Sequence, residues 1–342
     1  MSLLALFWLL SWSACGLALA VLAGLVGYRA WDNRRAEARR RERAQYIALL
    51  KARAEPSAPA GDVLTDLTVD ILELVRGEEK DRFAERLAGT GVAGQLHARL
   101  RHGGTRTRML TAAALANFSD AGTREALTAA LDDRNPEVRL TAALSLAADG
   151  QAPPPEEVIR RLGLGEHETS LLTVLLLVEM AQTDLASVRA LLGDSATAPS
   201  VRAATAEALA LGDDFVAVPI IGALAIAADP WASELPRYLA ALARFRHPAG
   251  APAVLHGLGS PVEAVRAAAA HAAGRIGVAA ALDRLEQLLA DPAWRVRFEA
   301  AQALLKLGSE GERRLRHVAR DGEEPARETA VQILAEHAAA AA

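Results

Sequence analysis

Four six-residue stretches of this chain share one pattern, and their spacing limits the fold more than anything else in the sequence. They read Val138-Arg139-Leu140-Thr141-Ala142-Ala143, Val201-Arg202-Ala203-Ala204-Thr205-Ala206, Val265-Arg266-Ala267-Ala268-Ala269-Ala270 and Val296-Arg297-Phe298-Glu299-Ala300-Ala301. Ala326-Arg327-Glu328-Thr329-Ala330-Val331 is a fifth, degenerate copy. Arg266 and Arg297 are 31 residues apart, and Arg297 and Arg327 are 30 apart. Arg139 to Arg202 is 63 and Arg202 to Arg266 is 64, each about two periods. Further copies therefore belong near Leu171 and near Arg237, and Leu110-Thr111-Ala112-Ala113 marks another upstream. A period near 31 with two helices per unit is the signature of a stacked helical array.

Each copy is punctuated alike. Asp133, Asp291 and Asp321 stand five residues before the first motif position, and Ser260 fills the same slot. Such side chains cap a helix or bond a turn. Pro136, Pro199, Pro261, Pro292 and Pro325 fall in the turn or the first helical turn, where a missing N–H costs nothing. Gly150, Gly277 and Gly308 follow the motif arginine by eleven residues and Gly212 by ten, where a left-handed residue ends a helix. A second helix follows, with an apolar stripe such as Leu282, Leu285, Leu288 and Leu289. Aromatic content of 4%, beside abundant Ala and Leu, suits close helix packing rather than a β-sandwich.

This pattern resembles the HEAT family, in particular its short, phycobilin-lyase-type version, from about Leu110 to Leu334. The resemblance implies an all-α fold, an α-solenoid of HEAT-like helical hairpins. It also implies that the motif arginines bond an Asp in the turn of an adjacent repeat, and that the helices bearing the motif line the concave face. Residues 104–342 are read as the array and 62–103 as N-terminal capping helices, since a solenoid needs polar caps at its ends.

Residues 1–28 hold no Asp, Glu, Lys, Arg or His. The apolar body Leu3 to Val26 has 24 residues, about 36 Å as a helix, against a hydrocarbon core of about 30 Å. Phe7, Trp8 and Trp12 sit toward one end, and Tyr28 and Trp31 at the other, as in interfacial belts. A cleaved signal peptide fits less well, because no basic residue precedes the run and the run is too long. Residues 29–54, read as a helical stalk, carry nine basic and three acidic residues. Arg34 and Arg35 stand where headgroups would be. The positive-inside rule then expects a single-pass protein of the inner membrane, N-terminus outside and repeats in the cytoplasm. Glu55 to Gly61, with two prolines and a glycine, reads as a linker.

Net charge is −4 overall and −10 for residues 55–342, which argues against nucleic acid as a partner. All but three of the 38 basic residues are Arg, a skew that a GC-rich genome accounts for. The single Cys15 lies in the apolar segment, so no disulfide or Cys-based metal site forms. The eight His show no zinc spacing, and there is no nucleophile elbow or phosphate loop. Deoxyhypusine hydroxylase, a HEAT-type di-iron enzyme, uses several His-Glu pairs; here only His167-Glu168 matches. No cofactor, metal or enzymatic activity is expected.

The expectation is a membrane-tethered scaffold that recruits or positions a protein partner at the cytoplasmic face. An accessory or assembly subunit of an envelope enzyme is the second reading, and a cryptic enzyme the third. Positions two, three and six past the motif valine should face away from the second helix of their repeat. They hold Phe298, Glu299, Gln302, His271 and Glu207. Trp294 beside Phe298, and Trp231 after Asp229-Pro230, are the candidate aromatic anchors, since aromatics are enriched at binding hot spots.

Overall fold

The computed structural model describes residues 61–74, 78–165 and 170–341, with isolated positions between 29 and 48. The apolar segment 3–26, the interfacial residues Phe7, Trp8, Trp12, Tyr28, Trp31, Arg34 and Arg35, and linker residues 55–60 lie outside the described residues. No helix among the described residues is long and apolar enough to cross a membrane. Those residues form α-helices and short 3-10 turns and contain no strand. They divide into two compact units, Met1–Ala126 and Leu127–Ala342.

In the first unit, α1 (Asp62–Leu74), α2 (Glu78–Ala88), α3 (Val92–His102) and α4 (Thr105–Leu115) close around Leu64, Leu67, Phe83, Leu87, Leu96 and Leu115. Arg99 of α3 reaches back to Asp66 at 2.6 Å and Asp62 at 3.3 Å, tying α3 to the start of α1. The next helix, α5 (Ala121–Ala130), bridges the boundary.

The second unit is a row of hairpins. Its first helices are α6 (Pro136–Ala148), α8 (Leu171–Thr183), α10 (Pro199–Leu211), α12 (Leu235–Phe245), α14 (Glu263–Ile276), α16 (Trp294–Lys306) and α18 (Ala326–Ala341). Their partners are α7 (Pro155–Leu162), α9 (Leu185–Gly193), α11 (Val218–Ala227), α13 (Ala251–Gly257), α15 (Leu282–Leu288) and α17 (Ser309–Asp321). Each first helix packs on the next first helix, which makes one continuous row.

One burial pattern runs through that row. Ala142, Ala143, Ser145 and Leu146 are buried in α6, and Ala300, Ala301, Ala303 and Leu304 in α16. The same quartet is Thr173, Val174, Leu176 and Leu177 in α8, and Tyr238, Leu239, Ala241 and Leu242 in α12. These fix the register of the two repeats whose letters depart from the motif. Small side chains let neighbours approach closely. A Cβ on Gly274 of α14 would lie 2.8 Å from the Ala303 Cα of α16, so that contact admits no side chain there.

The turns bear out most of the punctuation. Side-chain oxygens of Asp133, Asp194, Asp229 and Asp291 each accept the N–H two residues on, and Ser260 does the same for Val262. Asp321 departs from this; its carboxylate meets His317 at 3.0 Å. Pro136 and Pro199 open α6 and α10. Gly277 ends α14 in the left-handed region at φ 84°. Gly212 does not follow; its φ is −90°, and the left-handed residue is Asp213 at φ 54°. A short polar side chain tolerates that conformation, so the turn reverses one residue later.

Candidate protein-binding face

The motif arginines are structural first. Arg139, Arg266 and Arg297 each donate from Nη1 to the carbonyl six residues before, at 3.1, 3.0 and 2.9 Å, bracing their own entry turn. Arg266 also makes a bidentate pair with Asp291 in the turn of the next repeat, at 2.7 and 2.9 Å. That hydrogen bond holds the Arg266 guanidinium above its usual range against the opposing pull of burial. For Asp291, burial pushes the carboxyl up, but bonds from Arg266 and the Ala293 N–H outweigh it and hold it low. The other rungs differ. Arg139 reaches the Leu162 carbonyl and Arg297 the Thr329 hydroxyl, while Arg202 keeps a buried Nε without a hydrogen-bond partner. The Arg–Asp ladder expected of the family is thus complete at Arg266–Asp291 and replaced by other acceptors at Arg139 and Arg297.

The face proper lies along the positions two, three and six past the motif valine. Two cross-repeat pairs occupy one register. Glu207 accepts from Arg237 Nε at 2.5 Å, and His271 Nδ1 meets Glu299 at 3.0 Å. In each, a side chain six past the motif position meets one three past it in the following repeat. Both pairs are part-exposed, so each contributes little to stability. Not every such position is open. Ala203, Ala204 and Ala267 are fully buried, because α10 and α14 are pressed between neighbours on both sides.

Trp294 is 57% exposed and stacks on half-buried Phe298, with ring centroids 5.3 Å apart. Gln302 is half-buried on α16. Trp231 is exposed, in the turn before α12. The structure therefore sets Glu207, His271, Phe298, Glu299 and Gln302 on the first-helix row, with the two tryptophans at its entry turns.

Sequence reasoning missed the most exposed part of that row. In α8 the register puts Leu171, Leu172 and Leu175 at the two, three and six positions, and they are 72%, 49% and 42% exposed. Beside them is a groove of about 330 Å³ crossing three first helices. Leu171 and Val174 of α8 line one part of it, and Glu207, Glu234 and Arg237 of the next two repeats line another. Ser170, Ser200 and Ser233 complete the rim.

The first-helix row, its entry turns and its thirty-one-residue register place the comparison in context. Residues 224–305 match the family model of HEAT repeats. These HEAT repeats run from α11 to α16 and include the Arg266–Asp291 rung. No curated protein matches the chain in sequence. Among solved structures, Kap121p is 13% identical, with a TM-score of 0.46 over 84% of this chain and 38% of that one. The chain thus spans little more than a third of Kap121p. Human deoxyhypusine hydroxylase is 19% identical, with a TM-score of 0.32 over 72% and 98% of the two chains. The complex of CpcE and CpcF of phycocyanin lyase from Nostoc sp. PCC7120 gives 20%, 0.30, 72% and 87%. Among the described residues no three His, Cys, Asp or Glu side chains are grouped to hold a metal ion; His167-Glu168 lies outside them.

Proposed function

We propose that this chain is a membrane-tethered scaffold that binds a protein partner on its first-helix row and holds it at the cytoplasmic face of the inner membrane. The observation that carries the reading is the leucine step on α8. A single exposed Leu is ordinary, but three on one face of one helix, bordered by a polar groove, form a patch of the kind that marks interaction sites. HEAT arrays present such rows as extended binding surfaces. The tether rests on the apolar run Leu3 to Val26 and the basic residues after it. Confinement to a surface raises the partner's effective concentration there without any new contact.

Cell fractionation tests the tether. The full chain is expected in the membrane pellet, and a form lacking residues 1–28 in the supernatant, with the partner moving alongside it. A shortened form that still pellets would remove the anchor from this account.

A further inference from the structure

We infer that the partner segment held in the α8–α10–α12 groove is basic and amphipathic. It would present an apolar face to Leu171, Leu172 and Leu175, and arginines or lysines to the carboxylates of the opposite wall. This rests on the reading of the first-helix row as a binding face, and adds the chemistry of what binds there.

Two observations point the same way. The groove itself is two-sided, with Leu171 and Val174 on one part and Glu207 and Glu234 on another. Its one guanidinium, Arg237, is already engaged by Glu207 at 2.5 Å, so the groove offers an incoming anion little. Charge is also unevenly spread along the second unit. Residues 127–240, which include the groove, carry sixteen acidic and seven basic residues. Residues 241–342 carry twelve and thirteen. The half that bears the exposed leucines is therefore the strongly negative half. A field of that sign steers a cationic partner and repels nucleic acid or an anionic lipid surface. The leucines supply the area-dependent part of affinity, and the carboxylates select sign and orientation.

Peptide binding to the full-length protein in detergent micelles tests this. Three short labelled peptides serve as probes: one with leucine on one helical face and arginine on the other, one with glutamate for arginine, and one with serine for leucine. Only the first is expected to bind measurably, with an affinity that falls as salt is raised. The double variant Leu171→Ser/Leu175→Ser should weaken it about tenfold, because close to two leucine contacts are lost. Leu255→Ser, on α13 of the second row, should leave it unchanged. Failure of the basic peptide to bind, equal binding of the acidic one, or indifference to the double variant would each overturn the inference. If the basic peptide fails while a protein partner still crosslinks to the first-helix row, only the partner's chemistry is wrong. If neither binds there, the row is wrong too.

Discussion

Replacing Gly311 by valine is expected to loosen the last repeats, lowering stability by about 3 kcal/mol. Gly311 lies in the first turn of α17 and is buried against the end of α16. A Cβ there would fall on the Leu304 carbonyl oxygen and stand 2.8 Å from its carbon. The obstacle is backbone, so no rotamer change relieves it. Removing a helical glycine otherwise gains up to about 1 kcal/mol, which is less than the clash costs. Gly94 of α3 is the control of opposite sign. Nothing lies within 4 Å of a Cβ placed there, so Gly94→Ala should be neutral or stabilising. Thermal melts read both. Gly311→Val should lower the transition of the second unit by roughly 6–12 °C, and an unchanged transition would mean that α16 and α17 do not meet as described.

The second large effect is at the complete rung. The side chains of Arg266 and Asp291 are only 13% and 5% exposed. Asp291→Ala strands the guanidinium and also removes the acceptor for the Ala293 N–H. Breaking one side of a buried pair costs about 3 kcal/mol or more. Replacing both, as Arg266→Met with Asp291→Ala, should restore much of that loss, because the buried charge goes too. The pH dependence follows the depressed Asp291 carboxyl. Its contribution is fully present above the ordinary aspartate pKa of about 4 and is lost as pH falls through the lower folded value. Asp291→Asn keeps the turn acceptor but not the charge, so its melting temperature should fall less steeply below pH 4 than the parent's. Equal acid limbs would show that the pair carries no linkage.

Much of this architecture is legible in the letters, for a physical reason. Val138, Val201, Val265 and Val296 are fully buried, and the Ala pairs after them sit where helices touch, so a contact constraint becomes a spelling. Where volume is met by other residues the spelling vanishes while the burial persists. Thr173-Val174 and Tyr238-Leu239 take the place of Ala pairs. Leu110-Thr111-Ala112-Ala113 matches Leu140 to Ala143 by letter at a spacing of 30. Burial instead pairs Thr111, Ala112, Ala114 and Leu115 with Ala142, Ala143, Ser145 and Leu146, a spacing of 31. That register makes the buried Arg108 a motif arginine, and its Nη1 donates to the Gly103 carbonyl at 2.8 Å.

The binding face was only half readable. Glu207, His271 and Glu299 stand out as polar letters in an alanine background. Leu171, Leu172 and Leu175 do not, because α8 reads Leu-Leu-Thr-Val-Leu-Leu-Leu-Val. An all-apolar run carries no periodic signal to separate its buried from its exposed face. The groove was beyond reach for a different reason: its walls come from three repeats, about thirty residues apart.

The most direct measurement is a crosslinking map made in native membranes. Full-length protein would carry a photoreactive amino acid singly at Leu171, Leu175, His271 or Trp294 on the first-helix row. A second set would carry it at Ala190, Ile226 or Leu255 on the second row. Adducts to one protein partner from the first set, and none from the second, are the predicted result. Adducts confined to the second row, or spread evenly over both, would contradict the account.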